Sequence, residues 1–226
     1  MTQILLAYRA DWSVIFQAIG PMAKGLEFTG EIVVSALFGA LLLGLVVALV
    51  RMAPFPISVL GFAYVQVFRA LSLYIYILWV YFGVPAFLHI DISPLTAAVV
   101  CLMLLNSAYL SEVYRSAIKA IDRGQLEAAT SLGMGRIVAF NNVILPQAIR
   151  VAIPSIMNLI VDMVKDSSIV AVIGASDLMY QTIELISVNK RSFELYTMVG
   201  VIYLVIVVVI SQLAGFMEKR LRRHLV

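Results

Sequence analysis

The sequence predicts an all-α, polytopic membrane protein with about five transmembrane helices. Three observations carry this. Of the 226 residues 62% are hydrophobic and 13% charged, with a mean hydropathy of +1.01, far from the usage of soluble domains. The apolar residues gather into stretches of about 20, the length a helix needs to cross a bilayer. The polar residues collect between those stretches, most of all in one long island at 118–146.

Residues 1–27 are mixed, with Ile4 to Tyr8 apolar but Arg9, Asp11, Lys24 and Glu27 interrupting. They lack the charged start, apolar core and cleavage site of a secretory signal, so an interfacial helix leading into the first span is expected. The membrane domain then takes 28–226. Its first span, about 28–50, repeats Ala36, Ala40, Gly44 and Ala48 every four residues, a ladder that lets another helix approach closely in lipid. Arg51 marks its far boundary, and Pro54 and Pro56 make the turn.

The second span, about 57–82, carries Arg69 near its centre, where a lone charge costs about 2.5 to 3.5 kcal/mol and must face protein, water or a counter-charge. Tyr74, Tyr76, Trp79 and Tyr81 crowd its second half as an interfacial belt would. The third span, about 95–117, holds Asn106 in its interior. Glu112 and Arg115, three residues apart, are placed to pair on its surface. The fourth, about 147–174, has Ser155, Asn158, Asp162, Lys165 and Asp166 at offsets of three and four. One face of an apolar helix is therefore polar over about 16 Å, and such a stripe cannot face lipid. A polar connection at 175–192 leads to the last span, about 193–216.

Within the island, Gln125 to Leu132 is a run of helix formers, with small side chains at Ala128 and Ala129 that permit close approach of a partner and a charge at Glu127. Gly124 precedes the run, and Gly133 stands where a helix-terminating glycine belongs. A second short helix, Arg136 to Leu145, puts Ile137, Phe140 and Ile144 on one face and is expected to close at Pro146.

Two short helices hinged at Gly133 to Gly135, reading EAATSLG and then VILP, resemble the EAA loop of ATP-binding cassette importer permeases, with Val143 in place of the usual Ile. The similarity covers nearly the whole chain and is nearest to the polar amino acid uptake class. It extends through NSAYLSEVYR (106–115), PQAIR (146–150) and KDSSIVAVIG (165–174). At 69–72 the chain departs from that family's Arg-Gly-Thr-Pro, with Ala70, Leu71 and Ser72 in place of the last three.

The resemblance implies that Gly124, Glu127, Ala128, Ala129, Gly133 and Pro146 form the loop that couples the permease to a separate ATPase. It further implies two ATPase subunits, a second permease subunit in a homo- or heterodimer, and an extracytoplasmic solute-binding protein. ATP and magnesium would sit on the ATPase. This chain would bind no cofactor, and it contains no G-x-x-x-x-G-K-S/T loop to cradle phosphates. No Cys or His cluster has metal spacing, no catalytic residues are expected, and a charge of +3 gives no reason to invoke nucleic acid. A single Cys, Cys101, excludes an internal disulfide.

Arg69, Asn106 and Asp162 fall at similar depth on three spans. With Asn158, Lys165, Asp166 and Ser167 they form the candidate solute pathway, in which Arg69 would receive the carboxylate of an amino acid and Asp162 or Asp166 its ammonium group. The competing reading is structural: Asp162, Lys165, Asp166 and Arg69 sum to zero charge and could neutralise one another. Other small zwitterionic solutes, such as a compatible solute or an opine, fit the same site. A channel or structural subunit without ATP coupling is the rival of a different class.

Counting Lys and Arg sets the orientation. Ten fall on one side (Arg51, Arg115, Lys119, Arg123, Arg136, Arg150, Lys219, Arg220, Arg222 and Arg223) and four on the other (Arg9, Lys24, Lys190 and Arg191). The richer side should be cytoplasmic, which puts the N-terminus outside and the C-terminus and the loop inside a bacterial plasma membrane.

Overall fold

A computed structural model describes residues 10–222, with side chains to 217. The expectations for Ile4 to Tyr8 and Arg9, and for the side chains of Lys219, Arg220, Arg222 and Arg223, lie outside the described residues. All regular structure among those described is helical: α1 (Val14–Met52), α2 (Ile57–Ala70), α3 (Leu73–Leu88), α4 (Pro94–Lys119), α5 (Arg123–Ser131), α6 (Arg136–Ile173), α7 (Leu178–Asn189) and α8 (Ser192–Arg222).

Helix α1 is one rod of 39 residues, about 58 Å at the helical rise, so the break expected near residue 28 is absent. Its start does not stand apart from the bundle. Val14, Ala18 and Met22 are buried against Leu178 of α7 and Leu195 and Val199 of α8. The backbone N–H of Asp11 donates to Oε1 of the fully buried Glu194 at 2.8 Å. Further along, the small-residue ladder meets α4. Ala36, Ala40, Gly44 and Ala48 are all buried, and a Cβ on Gly44 would sit 2.8 Å from Leu110 Cβ, too near to fit. Cys101 lies fully buried in the same core beside Ala97, Ala98 and Leu102.

The second span is not straight. Between α2 and α3 the axis turns by 100° at Leu71 and Ser72, both of which are extended. The cause is burial: Leu73, Tyr76, Ile77 and Val80 repeat at offsets of three and four and sink into the core between α1 and α4. Phe68 on one side of the bend meets Tyr76 on the other edge-on, ring centroids 5.6 Å apart. Tyr76 is therefore core rather than interfacial belt, while Tyr74 and Trp79 are exposed. Tyr64 anchors α2 to α4 through Ser107 Oγ at 2.7 Å.

Prolines do not stop α3 or α6. The structure corrects the expectation that Pro146 closes a helix, since α6 runs through it as one piece from Arg136. A wide π-turn precedes two of the helix prolines, Trp79–Gly83 ahead of Pro85 and Phe140–Ile144 ahead of Pro146, while Pro154 and Pro21 sit within α-helical turns of α6 and α1. In each π-turn, the residue before the proline donates five back, Val84 to Trp79 and Leu145 to Phe140. The widened turn gives the proline ring room against the carbonyl four residues earlier, where an α-turn would collide. It also rotates the faces: Ile144 is buried while Ile137 is 77% exposed, so the apolar face expected for Ile137, Phe140 and Ile144 is not shared.

The last turns of α6, Ser167–Ile173, tighten to a 3-10 helix that ends at Gly174 with φ +77°. The connection expected at 175–192 is itself largely helical, as α7. Asp177 caps it, accepting from the N–H groups of Tyr180 at 2.8 Å and Met179 at 3.2 Å. Burial pushes the Asp177 carboxyl up to about 6, against the pull of those two N–H groups.

Shared contacts order the ends of the bundle. Arg51 and Met52 line one cleft with Arg115 and Lys119, and Met52 also lines a second with Arg136, so α1 and α4 end where α6 begins. Leu178 and Leu195 lie with Val14 at the opposite end. The chain from 53 to 93 must therefore cross the bundle, and the bent pair α2 and α3 makes that crossing. Five crossings result, and the loop of 120–135 lies at the end opposite the start of α1. Around the bundle, large apolar side chains such as Phe38, Leu42, Leu204 and Val205 point outward, as lipid requires.

Candidate functional site

The loop between α4 and α6 is a rigid elbow. Asp122 caps α5, its Oδ1 accepting the Gly124 N–H at 2.6 Å. At the other end Gly133 takes φ +80°, and its N–H reaches Thr130 O at 3.0 Å while that of Met134 reaches Ala129 O at 3.1 Å. This closes the helix with a left-handed residue that a side chain would strain. Ala129 turns inward, 4% exposed, and seats α5 on the bundle. Gly124, Glu127, Ala128, Gly133 and Pro146 are exposed. Leu126, Leu132 and Ile137 stand out with them, so the elbow shows an apolar surface bearing one carboxylate. A fixed helix with such a face can take a push and hand it to α4 and α6.

Apart from Asp177 and Glu194, buried at the end where α1 begins, two sets of charged groups stand out on the spans. The first centres on Glu112. Its Oε2 accepts from Arg115 Nη2 at 2.8 Å and Nε at 3.0 Å, as the spacing predicted. Its Oε1 takes Arg51 at 2.5 Å and Arg69 more distantly at 3.8 Å. With three guanidiniums around it, Glu112 is a hub that the sequence reading saw only as half of a local pair. Four charges on three apolar segments, three cations and one acid, were the available signal. Arg69 lies near the middle of the bent crossing in sequence, one residue before α2 ends. It lies in a last helical turn, where a cation offsets the helix dipole, with its guanidinium 5.1 Å from the centroid of the Tyr109 ring.

The second set is the stripe on α6. Ser155, Asn158, Asp162 and Lys165 are exposed along one side, Asp166 partly so, and Lys165 Nζ meets Asp162 Oδ1 at 2.8 Å. Ser167 turns the other way, fully buried, and donates to Val164 O at 2.8 Å. Asn106 is 3% exposed and gives its amide to Leu102 O at 2.8 Å. Within this chain, then, Arg69, Asn106 and Asp162 do not gather into one cluster. Arg69 is drawn to Glu112 rather than to the α6 acids, so of the four charges in the competing structural reading only Asp162 and Lys165 pair with each other. What remains is a polar, net-negative face in the flank of a helix long and apolar enough to cross a membrane. It is open on the side away from its own bundle.

Comparison with known proteins agrees with this geometry. Residues 40–223 match the family described as binding-protein-dependent transport system inner membrane component. The chain is 34% identical to the glutamine transport system permease protein of Escherichia coli K12, over 94% of this chain and 98% of that one. It is 35% identical to the arginine transport system permease protein of Bacillus subtilis, over 95% and 98%. A crystal structure of an amino acid ABC transporter with histidines contains a chain that superposes with a TM-score of 0.90 at 35% identity, covering 94% of this chain and all of that one. The inward-facing MetNI methionine ABC transporter, at 19% identity and a TM-score of 0.75, shares the fold. A bundle crossed five times, with a capped elbow at one end and an unpartnered polar stripe in its flank, thus belongs to the family of binding-protein-dependent transport system inner membrane components.

Proposed function

We propose that this chain is the membrane-spanning subunit of an ATP-driven importer of polar amino acids. It takes its mechanical input through the elbow around Glu127. The observation that carries this is the elbow itself: capped by Asp122, closed at Gly133, seated by Ala129, and turned outward with Leu126, Leu132 and Glu127. Two copies of a separate ATPase would hold ATP and magnesium and dock there, and their closure would tilt α4 and α6. A floppy loop would absorb that displacement.

The α6 stripe supports a second permease subunit, identical or related. An exposed Asp162 facing acyl chains costs several kcal/mol, and a facing helix with a water-filled passage removes that cost. Ser155, Asn158, Asp162 and Asp166 would line this passage, the acids receiving the ammonium group of the solute. The relatives named for glutamine and arginine support the solute class. An external solute-binding protein would deliver it to the end where α1 begins. The excess of Lys and Arg at the elbow end supports a cytoplasmic elbow and C-terminus and an N-terminus outside.

Glu127→Arg tests the reading. Uptake of labelled glutamine or arginine should fall at least tenfold while the amount of protein in the membrane stays level. Uptake at the wild-type rate refutes coupling through this elbow.

A further inference from the structure

At the elbow end of the bundle a cleft of about 570 Å³ opens between the end of α1, the start of α2 and the end of α4. Arg51, Arg115 and Lys119 supply its charge, Ser58 a hydroxyl, and Val59 and Phe62 an apolar wall. Among the described residues no carboxylate lines it. Glu112 lies behind, engaged by Arg51 and Arg115, and leaves the three cations with a net charge of +2. The C-terminal ends of α1 and α4 contribute about half a negative charge each and the N-terminus of α2 about half a positive one, so about one and a half positive charges stay uncompensated. Lys119 is exposed and also lines the neighbouring cleft, where Arg123 and Arg136 outnumber Asp122. Next to its lining residues in the chain, Phe55, Ile57 and Leu60 are 83%, 51% and 70% exposed, an apolar surface suited to acyl chains.

We infer that this cleft binds the headgroup phosphate of an anionic phospholipid from the surrounding leaflet. One ligand then satisfies both halves of the surface, its phosphate set among Arg51, Arg115 and Lys119 and its chains lying over Val59, Phe62 and Leu60. The guanidinium N–H groups not turned to Glu112 can donate to phosphate oxygens, and Lys119 adds a point charge at the mouth. A free phosphate would meet the cations but leave the apolar wall unused. The site also ties the lipid to the joint between the first three crossings and the elbow.

Native mass spectrometry tests this on the protein purified from its membrane with its copurifying subunits, titrated with phosphatidylglycerol and with phosphatidylcholine. Phosphatidylglycerol should be retained at least tenfold more tightly. Lys119→Glu should weaken that retention at least fivefold, and Lys119→Arg should restore it. Lys119 makes no ion pair among the described residues, so its replacement leaves the Glu112 hub in place; an unchanged melting temperature checks this. Equal retention of the two lipids, or Lys119→Glu retaining phosphatidylglycerol like wild type, overturns the site. Displacement of phosphatidylglycerol by an equal concentration of glycerol phosphate overturns the lipid as its source, because a soluble phosphate would then suffice.

Discussion

The Glu112 hub and the α6 stripe are both charged and both lie in helices that cross the membrane, yet they are built on opposite principles. Glu112 draws cations from α1, α2 and its own helix, and most of its charge is settled within the chain. The stripe settles one pair, Lys165 with Asp162, between neighbours on the same helix, and presents the rest outward. A hub that gathers three helices holds the bundle together. A stripe that stays open leaves its polar groups to whatever lies outside the chain. The difference shows that a polar residue in a span says little by itself; what matters is whether its partners come from its own bundle.

Three substitutions bear on this contrast. Glu112→Ala should have the largest effect, since it leaves Arg51, Arg69 and Arg115 facing one another. The loss should be about 3 kcal/mol, the low end for stripping the counter-charge from a buried pair, because Arg69 is partly solvated. It would be read as a lower melting temperature in detergent and a poor membrane yield; a wild-type melting curve would show that the hub is not a structural tie. Asp162→Asn should lower uptake about tenfold, equivalent to about 1.4 kcal/mol, with little change in melting temperature. If it destabilises the protein as much as Glu112→Ala, the two regions are of one kind and the contrast fails. Gly133→Ala touches neither set and should be mildest. Forcing a side chain to φ +80° costs about 1 kcal/mol, and a modest fall in uptake without loss of protein would place that strain in the elbow. Full activity would mean that the elbow tolerates another closure.

Much of the fold was legible in the sequence. The four long spans appear as mainly apolar stretches, the ladder from Ala36 to Ala48 marked its own seam, and Gly133 announced a left-handed residue through the one amino acid that adopts it freely. The bend at Leu71 and Ser72 was missed because neither residue forces it. It follows from Leu73, Tyr76, Ile77 and Val80 competing for a core that exists only once α1 and α4 are in place. Pro146 misled in the other direction, for the π-turn ahead of it gives its ring the room that an ordinary α-turn lacks. Asp177 followed by Leu178 was a readable helix start for α7, obscured by the polar residues around it. At the site, the stripe was visible as a spacing of three and four. The gathering of Arg51 and Arg69 on Glu112 was not, because it joins residues more than forty positions apart.

The wide turn ahead of Pro146 has a mechanical corollary. Because the helix survives its proline, the segment that leaves the elbow at Arg136 is the same rod that carries Asp162, 26 residues and about 39 Å further on. On a beam of that length, a swing of about 5° at its base would carry the acid through about 3 Å, comparable to the reach of a hydrogen bond. Small strokes at one surface are thereby magnified where the solute would ride.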